Sequence, residues 1–344
     1  MKKSLLALAV LGVFAGGASA QSSVTLSGTL DVSAKYVKNS GAQRRVSLDG
    51  SGINTSQLVF SGMEDLGGGL KAGFELNAGL AVDTGSATGG SQLFNRRSVV
   101  RLLGGFGEVR LGRDYAPTFW NLTYYDAFGT NGVGNSLNVI APSAAIGVSR
   151  LYTGTRRDNA ISYFLPGNIG GINGQLMVAA AENGTTTDRG GRFIGGRVGY
   201  AAGPVNVGFS YGQQRYTSGA PDTKTYNLGG SYDLGVVKLL GYWDHQTETN
   251  KKGNLISLSA VVPFGQSEIH AGYDYDKLDV SGTKTKVDQF KVGYVYNLSK
   301  RTAMYSTVSR LSNKNNTSLF IPGGNPISAG GKSTGAEFGI RHFF

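Results

Sequence analysis

Apolar side chains fall on every second position through much of this chain. Val24, Leu26, Leu30 and Val32 alternate with Thr25, Thr29, Asp31 and Ser33, and Leu70, Phe74 and Leu76 alternate with Lys71, Glu75 and Asn77. The same two-residue period runs through 205–211, 226–233, 269–275 and 290–296. It predicts β-strands with one apolar and one polar face. At the C-terminal end His342, Ile340, Phe338 and Ala336 occupy one parity, and Phe343, Arg341, Gly339 and Glu337 the other. This strand runs to Phe344. Termini of soluble domains usually fray, whereas a barrel in lipid must pair its last strand with its first and leave no edge.

The pattern breaks into about sixteen segments of roughly ten residues, the length a tilted strand needs to cross a bilayer. Short connections lie at 65–69, 104–107, 167–171, 202–204, 233–235, 264–266 and 297–300. Between them run longer polar ones, such as 38–53, 83–91 and 313–333. Short turns on one side and long loops on the other fit periplasmic turns and extracellular loops. The expected fold is all-β, a transmembrane antiparallel β-barrel of about 16 strands forming one domain over 21–344.

Charge placement tests the barrel. Lys35, Lys71, Glu75, Arg97, Arg101, Arg110, Arg197, Lys238, Asp244, Lys291, Arg310 and Arg341 are read on the parity opposite the large apolar residues. A charge facing lipid at mid-depth costs about 2–4 kcal/mol. Arg96 and Arg113 break the rule at strand ends, where a long side chain is expected to reach the interface. A soluble β-sandwich or adhesin shares the alternation but uses shorter strands, about 5–6 residues.

Lys2 and Lys3 precede the apolar run Leu5 to Ala15, and Ala18-Ser19-Ala20 follows. This reads as a signal peptide over 1–20 with the mature chain starting at Gln21. The run is too short for a spanning helix. Its removal lowers the formal charge of +11 by two lysines. There are no cysteines, hence no disulfide or thiolate site. No metal or cofactor is expected. A mean hydropathy of −0.14 suits a barrel, which shows lipid only alternate residues.

One connection is out of scale. About forty residues separate the strand ending near Gly112 from the one starting near Arg156, and loops over roughly 15 residues are usually functional or disordered. This one holds Tyr115, Phe119, Trp120, Tyr124, Tyr125, Phe128, Ile140 and Tyr152. That is enough apolar surface to pack, so it can fold back and narrow the barrel. Packing is the expected role of its aromatics; a stacking path for sugars is the other.

Several stretches resemble the general porins of β-proteobacteria, a trimeric sixteen-stranded family. They are Ser22-Ser23-Val24-Thr25-Leu26, Glu64-Asp65-Leu66-Gly67-Gly68-Gly69-Leu70-Lys71-Ala72, Phe94-Asn95-Arg96, Gly105-Phe106-Gly107-Glu108-Val109-Arg110-Leu111-Gly112-Arg113, Asn159 with Tyr163, Leu298-Ser299-Lys300-Arg301-Thr302, and Gly339 to Phe344. The resemblance implies a homotrimer, a third extracellular loop folded into the pore, and diffusion of small hydrophilic solutes. The chain departs from the family pattern with Gln57 and Ser61, where basic residues are frequent, and with Arg97 and Arg101 on the fourth strand. The basic patch is read as moved along the wall.

The expected pore constriction comprises Arg97, Arg101, Arg110, Arg156, Lys71 and Glu75, with Asp114 and Asp126 as the acids of the loop. A basic excess in a narrow pore concentrates anions, so modest anion preference follows. The alternative is that the arginines pair with Glu75, Glu108 or Asp158 and brace the wall. A solute-specific channel for organic anions or sugars is the nearest rival function. An enzyme would need a nucleophile or acid beside a histidine, and only His270, read as lumenal near Glu268 and Asp274, offers one. Charges dispersed over strands and loops exclude a nucleic-acid patch. Lipopolysaccharide phosphates suit Arg44, Arg45, Lys251, Lys252 and Lys314. Phe344 is the expected signal to the outer-membrane barrel assembly machinery.

Overall fold

The computed structural model describes residues 23–140, 154–167, 169–181, 191–215, 222–315 and 317–344. The expected signal segment and Tyr152 lie outside them. The strands are β1 (Ser23–Asn39), β2 (Arg45–Gly50), β3 (Gln57–Gly67), β4 (Leu70–Ala81), β5 (Ser86–Ala87), β6 (Arg97–Gly104), β7 (Gly107–Tyr115), β8 (Arg156–Phe164) and β9 (Ile172–Ala179). They continue as β10 (Phe193–Ala202), β11 (Val205–Gln214), β12 (Thr223–Asp233), β13 (Lys238–Glu248), β14 (Lys251–Phe264), β15 (Ser267–Val280), β16 (Thr283–Asn297), β17 (Thr302–Lys314) and β18 (Lys332–Phe343). Two helices, α1 (Pro117–Tyr124) and α2 (Leu137–Ile140), lie between β7 and β8.

Each strand pairs antiparallel with its neighbours, and β1 pairs with β18, so the sheet closes. The two-residue β5 only touches the end of β4. β2 and β3 pair with successive halves of β1 and form one stave. The result is a barrel of sixteen staves. The seam is completed by main-chain bonds between Gly28 and Phe344, 3.0 and 3.1 Å long. All seven connections expected to be short are short, but the opposite side also has two two-residue connections, at 249–250 and 281–282. The break between β2 and β3 is not visible in the alternation. There the carboxylate of Asp31 accepts N–H bonds from Gly52, Ile53 and Asn54 at 3.0, 3.0 and 2.7 Å, drawing 52–54 toward it.

The two parities separate as expected. Leu26, Phe209, Leu228, Trp243, Tyr273, Phe290, Tyr294 and Phe338 are exposed on the outer surface, while Asn227, Asp244, Gln289 and Lys291 are buried inside. One assignment is corrected. Arg310 shares the outward parity of Met304 and Val308, whereas the inward positions of β17 are Ala303, Tyr305, Thr307, Ser309 and Leu311. Arg310 lies toward the loop end of a strand that finishes at Lys314, where its side chain can reach the polar interface.

Part of the barrel interior is a dry core. Leu122, Tyr125, Val133, Val139 and Ile140 of the long loop pack with Val37, Tyr242, Leu255, Val287 and Leu311 of the wall. Leu319 and Ile321, from the connection between β17 and β18, join them. That connection was read as a polar loop; its Leu319-Phe320-Ile321 run is the signal that it folds inward.

Candidate pore constriction

The long loop is the third on its side of the barrel and is held at several points. β7 ends at Tyr115, Ala116 remains extended, and Pro117 opens α1, a position its fixed φ favours. The buried face of α1 meets the β10–β12 wall. Asn121 Nδ2 donates to Gly208 O at 2.8 Å and to Asn227 Oδ1 at 3.0 Å. Asn227 Nδ2 donates to Thr118 O at 3.0 Å, and Tyr125 OH donates to Asn206 Oδ1 at 2.9 Å. Gly229 makes this approach possible, since a Cβ there would lie 2.0 Å from the Tyr125 ring.

Further along, the Asp126 carboxylate accepts N–H bonds from Phe128, Thr130 and Ser136 at 3.0, 3.1 and 3.3 Å. Fully buried Lys291 joins it to the wall, with Nζ 3.1 Å from Asp126, 2.9 Å from Asp274 and 2.7 Å from Ser136 Oγ. Glu337 accepts Val133 N–H at 3.1 Å. His270, the sequence candidate for catalysis, lies between Ala127 O and Glu268, at 2.7 and 3.0 Å, and so braces the loop.

The opening that remains lies against β4 and the β6–β11 wall. Arg97, Arg101, Arg110, Glu75 and Arg197 line a cavity of about 470 Å³ together with Trp120, Tyr124, Asn173, Gln175 and Asn206. A neighbouring cavity of about 460 Å³ shares Glu75, Arg97 and Trp120, and adds Gln57, Asn77, Arg96 and Tyr115. The arginines and the loop aromatics thus face each other across the passage.

Pairing sorts the cations into two groups. Arg97 binds Glu75 at 2.8 Å and Asp114 at 2.7 Å. Arg110 binds Glu108 at 2.8 Å and Asp114 at 3.0 Å. Arg101 stands 3.6 Å from Glu108. Three arginines are therefore matched by three carboxylates. Arg96, Arg156 and Arg197 have no carboxylate within ion-pair distance among the described residues. Arg96 donates to Gln57 Oε1 at 3.0 Å and to Tyr115 OH at 2.6 Å, and Arg156 donates to that same phenol oxygen at 2.9 Å. Arg197 is held by the amide oxygens of Asn121, at 2.6 Å, and Asn173.

Five sequence assignments change. Lys71 is exposed one residue beyond the β3–β4 turn, about 13 Å along the strand from Glu75, and lines neither cavity. Asp114 belongs to β7 rather than to the loop, and is buried between Arg97 and Arg110. Asp126 is in the loop but spends its charge on Lys291, away from the pore. Arg96 turns inward to Gln57 instead of reaching the membrane interface. It precedes β6, so strand parity does not apply to it. Asp158, offered as a partner for the lumenal arginines, pairs with Arg113. Arg197, read as inward, belongs at the constriction, and Gln57 is occupied by the guanidinium of Arg96.

A closed antiparallel barrel with an outer apolar surface and a charged interior narrowed by its own folded loop defines a channel of the outer-membrane porin class. The chain belongs to the Gram-negative porin family, whose pattern matches residues 7–316. It is 42% identical over 365 residues to outer membrane porin protein 32 of Delftia acidovorans, covering the whole of both chains. Its fold matches an anion-selective porin from Comamonas acidovorans with a TM-score of 0.81 and 38% identity, over 94% of this chain and 100% of that one. The trimer form of OmpT from Vibrio cholerae shares the fold at 13% identity, with a TM-score of 0.66 over 94% and 99%. The protein is thus a porin of the Gram-negative outer membrane, not an enzyme.

Proposed function

We propose that this porin passes small hydrophilic solutes with a preference for anions, and that Arg96, Arg156 and Arg197 set the preference. One observation carries the reading: among the described residues these three cations face no carboxylate, while Arg97, Arg101 and Arg110 are balanced by Glu75, Glu108 and Asp114. Uncompensated charge at a narrow, low-dielectric site raises the local concentration of counter-ions. The anion-selective relative supports the same sign. The test is the reversal potential of single channels under a salt gradient. Wild type gives an anion-favouring potential, and Arg96→Gln, Arg156→Gln and Arg197→Gln each move it toward cations. A cation-favouring wild type overturns the reading.

The trimer, the cleaved segment 1–20 and the barrel domain 21–344 are part of the same proposal. Small outward side chains at Gly28 and Ala34, next to the seam, suit contact between copies. Basic loop residues such as Arg44 and Arg45 suit lipopolysaccharide phosphates, and Phe344 suits recognition by the barrel assembly machinery. A mature N-terminus at Gln21 and an unheated gel band at three times the monomer mass are the expected results.

A further inference from the structure

We propose that the 470 Å³ cavity at the constriction is a binding site for planar aromatic carboxylates; this deepens, and rests on, the anion-channel reading. The wall of the cavity holds a feature that bulk ion flow does not require. Trp120 and Tyr124 lie one turn apart on α1, with ring centroids 5.4 Å apart and planes inclined by 19°. Exposed large apolar side chains of this barrel mostly point outward or lie in turns. Tyr124 is 48% exposed and lines the water-filled interior. An aromatic left wet in a lumen has not been buried by the loop's own packing, unlike its neighbours Phe119, Leu122 and Tyr125. The part of the ring that Trp120 and Arg197 leave exposed is available to a flat, weakly hydrated solute.

Cations with spare donors lie on the same cavity. Arg97 and Arg110 each donate to two carboxylates, which balance their charge at short range. Arg101 is held more loosely. Its contact with Glu108 is 3.6 Å, and both oxygens of Glu108 already accept from Arg110. Arg197 lies over the Tyr124 ring, 5.1 Å from its centroid, and is held by neutral amides. A benzoate-like anion can set its ring against the exposed surface of Tyr124 and Trp120, edge-on or offset, while its carboxylate takes the free donors of Arg101 or Arg197 in a bidentate bond. The cavity volume falls in the range that encloses small organic ligands. An aliphatic acid of the same charge gains the guanidinium contact and loses the aromatic stacking.

The test compares benzoate with cyclohexanecarboxylate as blockers of chloride current through single wild-type channels. The expected result is saturable block by benzoate at a concentration about 2- to 10-fold lower than for cyclohexanecarboxylate, the range that one aromatic contact supplies. Tyr124→Ala removes the difference between the two acids, and Tyr124→Phe restores it. Arg101→Gln weakens block by both acids alike. Equal block by the two acids in wild type, or a benzoate preference that survives in Tyr124→Ala, overturns the site. The chloride reversal potential of the same channels is read separately. An anion-favouring value with no benzoate preference removes this site alone, while a cation-favouring value removes the reading beneath it.

Discussion

At the scale of single residues, the interior of this barrel is governed by what each buried charge faces. Lys291 is wholly buried between Asp126 and Asp274. Replacing it with methionine leaves two carboxylates facing each other without a cation. Loss of one partner from a buried ionic group costs about 3–5 kcal/mol. Lys291→Met is expected to lower the unfolding temperature and to turn steady single-channel current into flicker as the loop loses its anchor. The selectivity arginines follow the same logic with a different outcome. Arg97→Gln uncovers Glu75, while Asp114 keeps Arg110, so it shifts selectivity toward cations even though Arg97 is itself neutralised. Arg96→Gln uncovers nothing. A reversal-potential shift from Arg97→Gln therefore says little about which cation attracts the permeant ion, and one from Arg96→Gln is direct.

At the scale of elements, the third loop is a small folded body set into the barrel. Its fit depends on residues that carry no side chain. Gly229→Ala drives a methyl group into the Tyr125 ring, and overpacking of this kind costs about 1–3 kcal/mol. The expected reading is a changed conductance with an unchanged β-sheet signal in circular dichroism. The strands themselves were legible in the sequence, because lipid on one side and water on the other impose a strict two-residue period. Turn positions were legible for the same reason. The loop's occupancy of the lumen followed from its aromatic content, but its contacts did not. Asp126 and Asp114 look alike in sequence, and only the fold turns one toward Lys291 and the other toward two arginines. Arg96 escaped because it lies outside a strand, where parity carries no information. Arg310 was misassigned in β17, whose apolar residues occupy both faces: Val308 outside, Tyr305 and Leu311 inside.

At the scale of the whole molecule, three unmatched guanidiniums decide the sign of a field that solvent ions can screen. The Debye length falls from about 10 Å at 0.1 M salt to about 3 Å at 1 M. The anion preference is accordingly expected to shrink when a tenfold gradient spans about 0.1 to 1 M salt instead of about 0.01 to 0.1 M. A preference that is independent of salt would point to steric sorting rather than to charge. The aromatic face on Trp120 and Tyr124 would keep its effect at high salt, since stacking is not screened in this way, so the two sources of selectivity separate along one experimental axis.

The seam between β1 and β18 has a consequence for how the barrel is made. Thr29 pairs with Phe343 about 300 residues away. Bringing such distant points together carries an entropic penalty of about 5 kcal/mol before any bond rewards it, and topologies dominated by distant pairings are slow to form. The strands of this seam also carry Asp31 and Glu337, which hold the 52–54 segment and the third loop. One tether of the third loop is therefore tied to closure of the barrel. A chain caught before that step has no sealed wall and lacks the Asp31 and Glu337 tethers, and it presents an unsatisfied strand edge on each side. Sealing of the wall and completion of the loop's set of tethers therefore fall in one step.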